Sequence, residues 1–352
     1  MTRVAAEFAP AKVNLALEVR GLRPDGFHEL WTVFDPLEFG DDLRFEEGGG
    51  GLRFELRFEA GTPAARQAQA LGGEGERAVP DGEGNLALRA VRRLEALAGR
   101  RLEGRLLLRK RIPAGAGLGG GSSDAAAALR LCAPLLGLPG PGAGPGDSPL
   151  WNLAGELGAD VPFFLAGTRA WAEGRGDRIH PFGSGPRLHY LCLFPGFGCP
   201  TSEVFGRFRE AGRKGGALVE SSQYGEDSVS ARSLSSDRAA RRAARFFEGL
   251  EKKERMGGAA PGLFNDLEDA AFALRPELGR LVEALAEAGF PGVRLSGSGS
   301  TLFLAFLDEK EADRRAEDLG TWLESRKELV SFPWSLIRTR SRIGTERDGS
   351  GA

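Results

Sequence analysis

Residues 112–129 read I-P-A-G-A-G-L-G-G-G-S-S-D-A-A-A-A-L, a loop almost without side chains between a short apolar run at 105–112 and an alanine-rich segment. The run ahead of it suits a strand. The segment behind it suits a helix, because alanine is the best helix former and Ser122, Ser123 and Asp124 stand where a first turn takes polar residues. Gly115, Gly117, Gly119, Gly120 and Gly121 are free to adopt backbone angles closed to other residues, and they let main-chain N–H groups approach a ligand. A helix that starts at Ser122 adds its unpaired N–H groups and the positive end of its dipole at the same place. The spacing therefore predicts an anion site; a flexible glycine loop capped by serines is the plain alternative. No Gly-Lys-Ser/Thr closes the loop as in a Walker sequence, and no acidic residue ends a following strand about twenty residues on as in a dinucleotide fingerprint.

A chain of 352 residues with 41% hydrophobic residues has room for two domains with their own cores. A formal charge of -2 speaks against a nucleic-acid or membrane-surface role built on bulk electrostatics. Cys132, Cys192 and Cys199 lack metal or disulfide spacing, and His28, His180 and His189 are scattered. Residues 1–10 carry no basic region followed by an apolar run, and no stretch reaches the ~18 apolar residues of a membrane span. A cytoplasmic protein without nucleic-acid or membrane partners is the expectation.

Residues 8–19 alternate after Pro10, so Val13, Leu15, Leu17 and Val19 share one face of a strand and Lys12 and Asn14 share the other. A lysine and an asparagine side by side there are either solvated or placed to hold a phosphate. Pro24-Asp25-Gly26 marks a turn, and Phe27, His28 and Glu29 open a strand over 30–37. An aromatic beside a histidine at a loop edge is able to stack on a flat base and bond its rim. Residues 43–47 and 52–59 read as a hairpin across four glycines, and residues 61–84 as a loose surface loop. Asn85 suits the N-cap of a helix whose Leu86, Ala90, Leu94 and Leu97 recur at helical spacing. A Pro/Gly connector at 136–149 and a short helix at 150–157 lead to Asp160, placed directly before an apolar run. A carboxylate there resists ionising unless a cation stands close, so it is a candidate base or, equally, a turn residue. Strands follow near 169–178 and 189–194, then a helix that Thr201 or Ser202 caps. Residues 209–262 read as an insertion around a possible helix at 238–250. Helices at 265–273, 276–290 and 309–324 surround a strand, a glycine turn at 297–300 and a second strand, and a strand at 335–340 closes the pattern.

In this context the pattern P-x-G-x-G-L-G-G-G-S-S-D-A-A resembles the phosphate loop of the GHMP kinases, a superfamily of small-molecule kinases. The blocks A-P-A-K-V-N-L-A-L with R-P-D-G-F-H-E-L, L-G-A-D-V-P-F-F-L-A-G with A-x-A-E-G-x-G-D, and S-G-S-G-S-T extend the similarity over about residues 9–306. The resemblance implies an α+β fold of two domains. Residues 1–180 would form an ATP- and phosphate-binding domain like ribosomal protein S5. Residues 186–340 would form a ferredoxin-like α/β sandwich that binds substrate, with the insertion at about 209–262, and 341–352 a disordered tail. Lys12 and Asp160 then correspond to the catalytic pair. Pro113, Ala114, Gly115, Ala116, Gly117, Leu118, Gly119, Gly120, Gly121, Ser122, Ser123 and Asn85 would meet ATP, accompanied by Mg²⁺ whose ligands the sequence does not name. Asn14, Phe27, His28, Asp124, Thr201 and Phe205 would meet the substrate. D-G-F-H-E-L points to the branch whose acceptor is a cytidine diphosphate sugar-alcohol, with Phe27 and Phe205 sandwiching the base. Phe27 replaces a usual tyrosine, and Asp124, where some members carry asparagine, adds negative charge near the triphosphate. A homoserine or mevalonate class kinase, or a nucleotide-binding module without catalysis, are the alternatives.

Overall fold

Alternating apolar and polar residues make β1 (Val4–Leu22) a strand that pairs antiparallel along its length with β2 (His28–Glu47). Between them Asp25 Oδ1 accepts from the Phe27 N–H at 3.1 Å and tightens the turn. The computed structural model describes residues 3–71, 79–142, 144, 146, 148–182, 185–214, 236–254, 262–326 and 334–342. β2 runs unbroken through what the sequence suggests are two strands. The pairing slips between Pro10 and Lys12 and again between Asn14 and Ala16, so irregularities of register flank Lys12 and Asn14, a device that re-aims side chains.

The expected hairpin of residues 43–47 and 52–59 does not form. β3 (Leu52–Phe58) and β2 instead both pair with a later strand between them, β4 (Gly104–Lys110), which is parallel to β3 and antiparallel to β2. Four glycines are too slack a link to fix register, and β4 brings the apolar Leu106, Leu107 and Leu108. Residues 61–84 are not all loop either. Thr62 accepts from the Ala65 N–H and, with Pro63 at the first position, starts α1 (Pro63–Ala70); residues 72–78 lie outside the described residues.

α2 (Leu86–Ala98), α3 (Gly120–Cys132), α4 (Leu150–Leu157) and α5 (Val161–Ala166) bury one cluster with the first sheet. α3 lies at its centre, which Ala125, Ala126, Ala127 and Ala128 permit because they take so little room. That sheet is completed by β5 (Ala170–Gly174) on β2, β6 (Arg178–Pro181) on β5, and the short β8 (Phe264–Asn265) on β1. The second sheet has the order β11-β7-β10-β9, built from β7 (His189–Phe194), β9 (Arg294–Leu295), β10 (Leu302–Phe306) and β11 (Ser335–Arg340). Ala11, Val13 and Leu15 of β1 share a buried cluster with Tyr190, Cys192 and Phe194 of β7, so one face of β1 is spent on the second sheet. Lys12 and Asn14 take the other face. α7 (Ser236–Glu254) joins that cluster through Ala239, Ala243, Phe247 and Leu250, at helical spacing. α6 (Thr201–Lys214), α8 (Glu268–Leu274), α9 (Pro276–Glu287) and α10 (Glu309–Ser325) pack around a third cluster on the second sheet.

The insertion's residues 215–235 and 255–261, and 343–352 of the expected tail, lie outside the described residues. Ser341, expected in the tail, is instead buried, and its hydroxyl donates to Asp35 Oδ2 at 2.6 Å. Among the described residues no helix is long and apolar enough to cross a membrane.

Candidate active site

Lys12, buried to 3% exposure, donates from Nζ to Asn14 Oδ1 at 2.5 Å and faces Asp160 Oδ2 at 3.9 Å. Asn14 is held in turn by donating to Thr32 Oγ1 at 2.8 Å, and that hydroxyl donates to Ala16 O at 2.7 Å. Burial draws the Lys12 ammonium below its ordinary value of 10.5, with the Asp160 charge acting the other way. Asp160 precedes α5 as its N-cap residue, but its side chain makes no capping bond. Its carboxylate, 31% exposed, faces the cavity. The turn reading of Asp160 and its reading as a cation-paired carboxylate are therefore both realised.

The glycine loop closes over this pair. Successive carbonyls point away from the cavity into fixed partners: Gly115 O accepts from Cys199 N at 2.9 Å, Ala116 O from Thr301 N at 3.1 Å, Gly117 O from Ser296 Oγ at 2.9 Å and Leu118 O from Lys12 N at 3.1 Å. In a trans peptide the C=O and the following N–H point in opposite directions. The N–H groups of Gly115, Ala116, Gly117, Leu118 and Gly119 accordingly find no acceptor among the described residues. They form a concave set of donors beside the start of α3, the arrangement that binds anions. Helix α3 starts at Gly120, with Gly119 in the left-handed conformation as its cap, so Ser122 and Ser123 lie inside the first turn rather than capping it. Gly117 is required on two counts: its φ is +74°, and an added Cβ would lie 2.0 Å from Ser296 O.

One cavity of about 840 Å³ joins these groups to the aromatic turn. Of the residues expected at the site, Lys12, Asn14, Phe27, His28, Asn85, Asp160, Thr201 and Phe205 line it, with Pro113, Ala114, Gly115, Ala116, Gly117, Gly119, Gly120, Gly121, Ser122 and Asp124. Leu118 and Ser123 do not. The Leu118 side chain belongs to the core between the sheets, and the Ser123 hydroxyl is buried with no hydrogen-bond partner. Asn85 reaches the cavity, yet its amide is spent locally, accepting from Ala87 N at 3.0 Å and donating to Pro80 O at 2.8 Å.

Phe205 stacks on the His28 ring, with centroids 4.8 Å apart, and Phe208 meets the other side edge-on at 6.0 Å. Phe27 is 54% exposed beneath the Arg175 guanidinium, 5.1 Å from its ring centre. The expected sandwich thus has one face, Phe205, covered by His28. Burial and then the charge of Arg209 hold His28 below its ordinary pKa, so the neutral imidazole is favoured. Thr201 pairs with Ser298 through their hydroxyls at 2.9 Å, joining α6 to the turn at 297–300.

Asp124 does not project a free charge at a triphosphate, which corrects the expectation drawn from the sequence. Lys110 Nζ donates to Asp124 Oδ2 at 2.7 Å and to Asp41 Oδ2 at 2.5 Å, all three groups being buried. Burial raises the Asp124 pKa well above the carboxylate range, with Lys110 opposing and Asp41 adding to the rise. Lys110 stands between the two carboxyl groups, so Asp124 is engaged inside this cluster. Sequence reading missed this cluster because Asp41 and Lys110 are far apart in the chain and no local spacing links them. It also missed Arg175 and Arg209, which line the aromatic end. Arg209 follows Thr201 and Phe205 at intervals of four, a helical stripe hidden by reading residues 209–262 as an insertion, because α6 runs on to Lys214.

Residues 85–168 match the GHMP kinases N terminal domain and residues 241–324 match GHMP kinases C terminal. The chain is 36% identical over 315 residues to the 4-diphosphocytidyl-2-C-methyl-D-erythritol kinase of Thermus thermophilus, covering 89% of this chain and 92% of that protein. It is 37% identical over 304 residues to the kinase of the same name from Nocardia farcinica, covering 86% and 84%. A crystal structure of 4-(cytidine 5'-diphospho)-2C-methyl-D-erythritol kinase superposes with a TM-score of 0.65 at 34% identity, over 96% of this chain and 99% of that one. A homoserine kinase from Cytophaga hutchinsonii, 14% identical with a TM-score of 0.57 over 96% and 94%, shares the fold. The chain belongs to the 4-diphosphocytidyl-2-C-methyl-D-erythritol kinase family of the GHMP kinases.

Proposed function

We propose that the chain transfers the γ-phosphoryl group of ATP to the 2-hydroxyl of 4-diphosphocytidyl-2-C-methyl-D-erythritol, in the non-mevalonate (methylerythritol phosphate) route to isoprenoids. The observation that carries this reading is the single cavity in which Lys12, Asp160 and the outward-held loop face the His28 and Phe205 pair. Asp160 takes the hydroxyl proton as that oxygen bonds to the γ-phosphorus, and the bond from phosphorus to the β-phosphate oxygen breaks to release ADP. Lys12 pairs with that carboxylate and offsets charge on the phosphoryl oxygens. The amide donors of residues 115–119 hold the polyphosphate before reaction, so little reorganisation is needed at the moment of transfer.

Among the described residues no cluster of three His, Cys, Asp or Glu side chains could hold a metal unaided. Mg²⁺ nevertheless fits, because it is usually held by few protein oxygens plus substrate phosphates. Ser122 lines the cavity at the start of α3 and would offer its hydroxyl oxygen to the ion, whereas Ser123 does not reach the cavity. Bound there, the ion would neutralise β- and γ-phosphate charge.

A panel of acceptors with ATP tests the assignment. Turnover is expected with the cytidyl acceptor, and turnover confined to homoserine or mevalonate would overturn it.

A further inference from the structure

Gln67 lies in a stretch to which sequence reading gives no role, yet it is buried to 6% exposure and its amide meets the glycine loop twice. Its Nε2 donates to Ala114 O at 2.9 Å, and its Oε1 accepts from Ala114 N at 2.8 Å. Helix α1 that carries it is pinned to the strand leading into the loop: Ala64 N donates to Arg111 O at 3.2 Å and Glu59 N to Lys110 O at 3.1 Å. On its other side Arg66 Nη1 donates to Trp334 O at 3.2 Å, just before β11.

We propose that Gln67 is a positioning residue of the phosphate cradle, the clamp that fixes the direction of its first inward N–H, that of Gly115. The carbonyls of Gly115, Ala116, Gly117 and Leu118 are tied by other parts of the chain, and Ala114 O, the one before them, is tied by Gln67. The peptide between Ala114 and Gly115 is the one most in need of a tie. Gly115 has φ +63° and no Cβ, and a glycine in a turn tolerates either orientation of the preceding peptide. Turned over, that peptide would aim a carbonyl oxygen at a polyphosphate in place of an N–H.

The inference rests on reading the loop as the site of the ATP phosphates. It is tested with Gln67→Met, which keeps length and loses both hydrogen bonds, and with Gln67→Glu. With fold checked by circular dichroism, Gln67→Met is expected to raise KM for ATP about tenfold, the worth of two neutral hydrogen bonds, while KM for the acceptor stays at the wild-type value. Gln67→Glu is expected to be equally impaired at about pH 8, where a carboxylate has no proton to give Ala114 O. It should recover relative to wild type toward about pH 5, since burial at this position raises a glutamate above its ordinary pKa and a protonated carboxyl offers one donor and one acceptor as the amide does. This recovery, measured well below the melting temperature, decides the matter if Gln67→Met does not fold. Wild-type KM for ATP in Gln67→Met, an equal rise for both substrates, or a pH-independent defect in Gln67→Glu would overturn the clamp alone. Wild-type protein that binds no ATP would overturn the reading of the loop and the clamp with it.

Discussion

The phosphate end of the cavity is made of main chain held from many sides, whereas the aromatic end is made of side chains that mostly touch one another. At the first end, β1 and the segment just before α6 each fix one carbonyl of the loop, and the turn before β10 fixes two. At the second, His28 occupies the face of Phe205 and Phe27 lies open under Arg175. The difference suits the tasks. Transfer of a phosphoryl group depends on charge and position set in advance, while a base can be admitted by rotating rings.

Removing the base of the reaction should have the largest effect. Asp160→Asn is expected to lower kcat by about 10²- to 10⁴-fold, the usual worth of general-base help, with KM for ATP little changed; a coupled ADP-release assay measures both. The rigidity of the phosphate end is tested next by Gly117→Ala. A left-handed conformation alone costs an alanine about 1–2 kcal/mol, and the close approach of Ser296 O adds to it, so a lower Tm and weaker ATP binding are expected together. Phe205→Ala sharpens the contrast from the other side: loss of a stacking ring should raise KM for the cytidyl acceptor about tenfold and leave Tm and KM for ATP nearly unchanged.

The smallest effect is on pH dependence. If Lys12 acts as an ammonium, as proposed, burial lowers its pKa and the ammonium is lost at lower pH than from a free lysine. The alkaline limb of kcat should therefore fall below the ordinary lysine value of about 10.4. Lys12→Arg, whatever activity it retains, should show no such limb, because guanidinium stays protonated. An alkaline limb that persists unmoved in Lys12→Arg would assign it to another group.

Much of the phosphate end was legible in the sequence because its chemistry is local. Glycines, two serines and an alanine helix in one run of residues point to a donor-lined loop, although the ties that aim its amides come from distant segments. Lys12 and Asn14 were legible as neighbours on one strand face. That Lys12 meets Asp160 was implied only by the family resemblance, since it depends on β1 lying between the second sheet and α3, which the local pattern does not encode. Gln67 was hidden for a related reason: a buried glutamine in a short helix looks the same in sequence as a solvated one. Asp124 was misjudged because its partners, Lys110 and Asp41, come from other strands. The false hairpin shows the same limit in the fold, since alternation identifies a strand but not its neighbour.

Lys12, Asp160 and the loop amides are proposed to act on one phosphoryl group beside one acceptor hydroxyl, which a crystal structure with a non-hydrolysable ATP analogue and the cytidyl acceptor would show. The γ-phosphorus is expected on the amides of residues 115–119, about 3–3.5 Å from the acceptor oxygen, with that oxygen about 2.6–3.2 Å from the Asp160 carboxylate. A γ-phosphate bound away from those amides, or an acceptor hydroxyl out of reach of Asp160, would contradict it.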